Sequence, residues 1–310
     1  MAEATLRAGP ARRRRPVGDG VICAAFLSPT LLVLLLMVAY PLLSLIEFSF
    51  QRFSALRPNQ PAEDVGLFNY EFLLTDPDLW SRFQFTGRYV VVAVAVQFLL
   101  GVIVAYQFQR RFTGRDVLFT VLMIPMMICP IVVGFLWKYM FNSEWGIVNW
   151  LVTLLGGDKI DWLGVTDNAL WAVVIADTWM WTPFIILLAA AAFRSIPRAI
   201  YEAAEIDGAS AAFVFFRITV PISAPILFIA LLLRLIDCFK QYDLFFALTG
   251  GGPGSSTETV SFALGKTAFS YFYTGEASAL AMILLIVIIG LSLVLVRFLN
   301  GLSRRARGES

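Results

Sequence analysis

Seven residues in two clusters have the types and spacing for chemistry inside an otherwise apolar chain. Asp177, Trp181 and Phe184 recur at i, i+4 and i+7, which on a helix sets a carboxylate above two aromatic faces. Arg234, Asp237, Cys238 and Gln241 recur at i, i+3, i+4 and i+7, a polar stripe about two turns long. Carboxylates and amides suit hydroxyl groups, and aromatic rings suit the apolar face of a sugar ring. Together they are what a polyol or sugar contact needs. Arg234 could instead select an anionic, phosphorylated polyol, or simply pair with Asp237 and hold helices together. Charges placed mid-membrane cost about 2.5–3.5 kcal/mol each on insertion scales, so such residues call for a function or a partner.

Other chemistries are excluded by residue type. The chain of 310 residues has no histidine, which removes His-based metal sites, Ser-His and Cys-His catalysis and histidine proton relays. Its three cysteines, Cys23, Cys129 and Cys238, all fall in apolar stretches, so no disulfide framework is expected. Gly265-Lys266-Thr267 matches the end of a phosphate-binding loop, but Val260 stands where that pattern needs its first glycine. The glycine-rich stretch TGGGPGSST (249–257) lacks the following lysine and reads as a loop that no helix crosses. No bound cofactor is expected on this chain.

The elements that must position these residues are membrane helices. Hydrophobic residues make up 59% of the chain and charged residues 15%, outside the range of a soluble domain. Six apolar runs approach or exceed the roughly 20 residues that cross a bilayer: 21–50, 88–109, 117–141, 169–193, 220–239 and 277–299. The predicted fold is all-α, a polytopic membrane domain over 21–300. It is flanked by a basic, disordered tail at 1–20 and a second basic tail at 301–310. Six spans put both termini on one side. Arg12 to Arg15, the Arg110/Arg111/Arg115 turn and Arg304, Arg305 and Arg307 all lie on that side, which the positive-inside rule makes cytoplasmic. Directly before an apolar span, the Arg12–Arg15 run reads as an orientation signal, with no nucleic-acid role.

Residues 195–221 interrupt this pattern. The run YEAAEIDGASAAFVFFRITVP places three acids within six residues, then a glycine, then a second short apolar run. Ser195 reads as a helix N-cap with Pro197 in the first turn, and Arg198 can pair with Glu202 four residues on. Ile200, Ala203, Ala204 and Asp207 share a side, and Gly208 ends the helix in the left-handed conformation. A second short helix is expected over 209–217. The result is a helix–glycine–helix elbow on the cytoplasmic face, suited to docking a protein.

The spacing of that elbow resembles the EAA signature of ABC importer permeases: Glu202-Ala203-Ala204, three residues, Gly208, nine residues, Ile218, one residue, Val220-Pro221. The one departure is Val220, where the family usually has leucine. TWMWTPF, IPRAIYEAAEIDGA, VPISAPIL, TGGGPGSSTET, GEASALAM, RRFTGRD and FNSEWGIVNWL look like the carbohydrate-uptake branch, similar to maltose-type and glycerol-phosphate-type permeases. The resemblance implies a type I importer permease in the bacterial cytoplasmic (inner) membrane. It would pair with a second permease, a different chain. Two cytoplasmic ATPase subunits would carry the ATP and Mg, and a periplasmic or lipid-anchored binding protein would deliver the solute. It also implies that the elbow is the coupling helix. Glu202 would then supply a charged contact or a cap, Ala203 and Ala204 a close fit beside Asp207, and Gly208 the bend. By the same resemblance, the helices carrying Asp177 and Arg234 line the translocation path. The rival reading is a stand-alone ion-coupled carrier, which the absence of matching halves disfavours.

Overall fold

The computed structural model describes residues 19–57, 59–110 and 112–306; for 19, 21–22 and 298–306 it describes the backbone only. The tail expected over 1–20 therefore lies almost wholly outside the described residues, as do the last four residues of the tail at 301–310. The described residues fall into two compact units that divide between residues 47 and 48. The first consists of most of α1 (Asp19–Ser49), a helix with Pro29 and Pro41 inside it.

In the second unit a two-residue antiparallel pair, β1 (Gln51–Arg52) and β2 (Glu63–Asp64), precedes α2 (Phe68–Thr75). Asn69 ties this region down, donating to the carbonyls of Ser49 and Gln51 at 3.0 Å each. α3 (Pro77–Gln107) begins well before position 88. Pro77 sits in its first turn, and Asp76 caps it by accepting from the Asp78 N–H at 2.9 Å, so the helix of the second span begins eleven residues before the expected 88.

The expected third span is not straight. α4 (Arg115–Met123) runs into a 3-10 turn at Pro125–Met127, and α5 (Pro130–Met140) leaves at 98° to it. The cause is local. Ile128 and Cys129 are extended, and proline at 130 disfavours helical geometry at the residue before it. Among the described residues, five helices are individually long and apolar enough to cross a membrane, and the bent pair makes six if counted as one broken span.

α6 (Ile147–Leu154) lies between α5 and α7 (Thr166–Arg194). α8 (Arg198–Ile206) follows, then the short α9 (Ala211–Phe213). The backbone next widens into a π-helical segment at Val214–Thr219 and runs directly into α10 (Val220–Lys240). The separate helix expected over 209–217 is thus the start of the fifth span, Ala211–Lys240. The widening sits directly ahead of Pro221, whose missing N–H removes an i→i−4 bond. α11 (Asp243–Leu248), the glycine-rich loop and α12 (Val260–Phe269) lead to α13 (Thr274–Ala306), which continues into the stretch expected to be a tail.

α3 and α7 pack along each other, and α10 packs on both. Their contact is close because Gly101 has no side chain: a Cβ there would lie 2.6 Å from Ile185 Cβ. Gly134 does the same for α5 and α11, where a Cβ would meet Ala247 at 2.6 Å. Two apolar clusters result. One includes Tyr89, Ala93, Val94, Met180, Cys238 and Phe245, the other Val102, Ala105, Ile185, Phe193, Leu227 and Ala230. On α3 and α10 a polar residue falls between the two clusters, Gln97 and Arg234 respectively.

Candidate functional site: a buried polar knot and a helical elbow

Arg234 is 1% exposed and Asp177 is fully buried, yet neither is isolated. Arg234 Nη2 pairs with Asp177 Oδ2, Nη1 with Asp237 Oδ2 at 2.6 Å, and Nε donates to Gln97 Oε1 at 2.7 Å. Gln97 Nε2 in turn donates to Asp177 Oδ2 at 2.8 Å, closing a ring of three side chains from α3, α7 and α10. The guanidinium carbon stands 5.0 Å from the Trp181 ring centroid, within cation–π range. Two carboxylates thus face one cation. Arginine suits this role because its planar fork directs several N–H groups at once.

The knot joins Asp177, Trp181, Arg234 and Asp237, four of the seven residues singled out by spacing. The other three are placed differently. Cys238 is buried in the first apolar cluster. Phe184 packs against the second, while its ring meets that of Trp181 edge-on at 6.3 Å between centroids. Gln241 follows α10 as its C-terminal cap, so the seven-residue spacing does not carry it along the helical stripe. Asp237 differs from its partners in being 38% exposed. Gln97 was missed, although a lone amide in the middle of an apolar span was a usable signal. Among the described residues, several buried polar atoms of α7 beside the knot have no protein hydrogen-bond partner: Trp181 Nε1 and the hydroxyls of Thr178 and Thr182. This interior is polar beyond what helix packing requires.

The elbow forms a second site. Gly208 has φ +67°, and its N–H donates to Glu205 O at 3.1 Å while the Ala209 N–H donates to Ala204 O at 2.9 Å. These two bonds are the Schellman arrangement that ends a helix at a left-handed glycine. Two expectations at the other end fail. Pro197 itself occupies the N-cap position, and Ser195 closes α7 instead, donating to Ala192 O at 2.7 Å. Among the described residues, no ion pair joins Arg198 to Glu202. Tyr201 Oη and Thr219 Oγ1 lie 3.2 Å apart, bonding α8 to the π-helical segment at the head of the fifth span.

Ile200, Ala203, Ala204 and Asp207 line one side of a recess of about 550 Å³, with Ala209, Phe213 and Ile218 opposite. Ala204 is buried, whereas Glu202, Ala203, Glu205 and Asp207 are exposed. Ile206 is almost wholly exposed at the tip. The elbow is a small, concave, acid-rimmed surface hydrogen-bonded to the head of a long helix.

Farther along, the glycine-rich loop is held by Glu258, which is buried between Arg82 Nε at 3.0 Å and Lys266 Nζ at 2.7 Å. The side-chain hydrogen bond to Glu258 is the main cause that raises the Lys266 pKa above the ordinary lysine value. Lys266 of the Gly-Lys-Thr stretch is therefore a structural ion-pair partner within α12.

Comparisons with known proteins agree with this architecture. The family model for "Binding-protein-dependent transport system inner membrane component" matches residues 97–308. The trehalose/maltose transport system permease protein MalF of Thermococcus litoralis is 35% identical over 272 residues, covering 87% of this chain and 90% of that one. The sulfoquinovosyl glycerol transport system permease protein SmoG of Agrobacterium fabrum is 30% identical over 284 residues, 92% of each chain. Among solved structures, a bacterial ABC transporter involved in import of the acidic polysaccharide alginate aligns with a TM-score of 0.77. It does so at 21% identity over 92% of this chain and 96% of that chain, a likeness of fold.

Proposed function

Because the chain belongs to the family of binding-protein-dependent transport system inner membrane components, we propose that it is the permease subunit of an ATP-driven importer for a sugar or sugar-like polyol. The observation that carries this reading is the family match over 97–308, which contains both the elbow and the polar knot. The carbohydrate class is supported by relatives that carry trehalose/maltose and a sulfoquinovosyl glycerol. The chain makes and breaks no covalent bond; ATP is hydrolysed on separate partner subunits. Both termini, and the elbow with them, face the cytoplasm. A second permease, two ATPase chains and an extracytoplasmic binding protein complete the assembly. Family membership sets aside the stand-alone ion-coupled carrier.

Within this reading the elbow receives the motion of the ATPase. Its recess accepts an apolar partner side chain, and its exposed acids pair at the rim. The Schellman end and the Tyr201–Thr219 contact pass displacement to α10 without slack. At the other end of α10, Asp237 and Trp181 meet the solute, while Arg234, Asp177 and Gln97 hold them in place. The exposure of Asp237 beside buried partners supports that division.

The test is reconstitution. The chain is purified in mild detergent with its co-purifying proteins and placed in liposomes with the binding protein. ATP-dependent accumulation of labelled trehalose, maltose or a polyol is the expected result. Recovery of the chain alone, with uptake driven by an ion gradient and indifferent to ATP, would overturn the proposal.

A further inference from the structure

The segment between α5 and α7 carries an apolar face that packing within the chain leaves unused. In α6, Ile147, Trp150, Leu151 and Leu154 recur at i, i+3, i+4 and i+7, and all four are exposed, between 46% and 66%. The opposite face is clamped to the protein. Asn149 is buried and uses both ends of its amide: Nδ2 donates to Ser143 O at 3.2 Å and Ile160 O at 2.8 Å. Its Oδ1 accepts from Ile160 N and Trp162 Nε1 at 3.1 Å each. With every hydrogen-bonding position of that amide filled, α6 cannot roll to bury its stripe without breaking four bonds.

What covers the stripe follows from what adjoins it. Trp145 packs on Tyr139 with ring centroids 5.8 Å apart, and both are largely exposed. Tyr139 ends a second stripe on α5, with Val132, Phe135 and Leu136 at the same helical spacing and also exposed. The two stripes adjoin at the Tyr139–Trp145 contact, where the apolar surface turns a corner. With the bent pair counted as one broken span, the exposed face of α5 is the one turned to the hydrocarbon, and the corner falls at its boundary. The segment is also tethered at both ends to span termini, at Met140 and Thr166. At its polar edge Trp145 and Trp150 share a recess of about 500 Å³ with Glu144 and Lys159, themselves ion-paired at 3.5 Å. Aromatic rings at a polar–apolar boundary beside a lysine are the composition of a headgroup-level belt.

We propose that α6 is an in-plane membrane anchor. Its stripe lies in the outer-leaflet interface against phospholipid, with Trp145 and Trp150 at the headgroup level beside the Glu144–Lys159 ion pair. This goes beyond the transport reading and is independent of the solute carried; it rests on the chain being a membrane subunit with the orientation proposed above.

The experiment uses the whole assembly in nanodiscs of phosphatidylethanolamine and phosphatidylglycerol, with a trace of diazirine-bearing phospholipid. After illumination, adducts are mapped by mass spectrometry. The expected map shows lipid adducts on Trp145, Trp150 and Leu154 as well as on Phe135 and Tyr139, with none on Asn149 or Trp162. Leu151→Glu/Leu154→Glu should lose most of the α6 adducts while the α5 adducts persist. If that variant does not assemble, the residue pattern in the unaltered protein decides by itself. Lipid adducts on α5 with none on α6 would overturn the proposal. So would cross-links showing the stripe covered by the binding protein or the second permease.

Discussion

Arg234 donates from Nε to Gln97 Oε1 at 2.7 Å, joining α10 to α3 across 137 positions of sequence. The bond matters because Gln97 also donates to Asp177 on α7, so one amide fixes the geometry of the ion pair that holds three helices together. A cation inside this interior is tolerated only because each side of its fork is occupied.

Arg234→Met leaves Asp177 and Asp237 without their cation and should destabilise the protein by about 3–5 kcal/mol, the range for breaking a buried pair. Arg234→Met combined with Asp177→Leu should cost much less than the sum of the two single changes. Thermal unfolding of the four proteins of this cycle in one detergent measures the coupling. Strict additivity would show that the pair contributes nothing as a unit.

Asp237→Asn removes a half-exposed carboxylate that makes only one of the contacts to Arg234. The thermal midpoint should move little, while uptake falls at fixed binding-protein concentration. Uptake and unfolding read on the same preparation separate a solute contact from a packing role. A large stability loss with normal uptake per folded molecule would place Asp237 among the structural residues.

Gly208→Val forces a β-branched residue to φ +67° and should cost about 1–3 kcal/mol of local strain. The elbow then ends differently, and the ATPase subunit should no longer co-purify. Gly208→Asn should keep most of the association, since asparagine tolerates left-handed geometry. No Cβ contact crowds the position, so the effect is one of backbone conformation. Equal recovery of the ATPase with valine and asparagine would refute that account.

The Lys266–Glu258 bridge carries a pH sign. The folded-state pKa of Lys266 is raised, so its contribution is complete below the ordinary lysine value and is lost as pH rises through the higher, folded value. Stability should therefore show no inflection from this group across the neutral range. Partial protease digestion of the glycine-rich loop should begin only in strong alkali. In Lys266→Met that alkaline onset should disappear, with the loop somewhat more open at all pH values.

Much of the fold was legible because a bilayer is a severe solvent. Long apolar runs must be helices there, since an unpaired peptide group costs several kcal/mol, and this gave the span count to within one broken helix. The elbow was legible for a different reason: a left-handed helix end needs glycine, and the EAA spacing points to Gly208. Local geometry misled where proline acts at a distance of a few residues. Pro130 bends the third span, and Pro221 follows the π-helical widening that fuses the expected second elbow helix to α10. Ser195 read as a cap because serine bonds equally well to the end of the helix before it.

The sequence by itself determined that this is a multi-span membrane protein with a glycine-ended elbow between two of its spans, because hydrophobic length and backbone conformation are local properties. The partners of its buried charges were decided only by tertiary structure. Spacing along α10 paired Arg234 with Asp237, its neighbour three residues on. Spacing could not bring Asp177 from α7 or Gln97 from α3, because no periodicity within one helix records the face another helix presents. The approach of α3 to α7 at Gly101, close enough to exclude a methyl group, brings those side chains within reach.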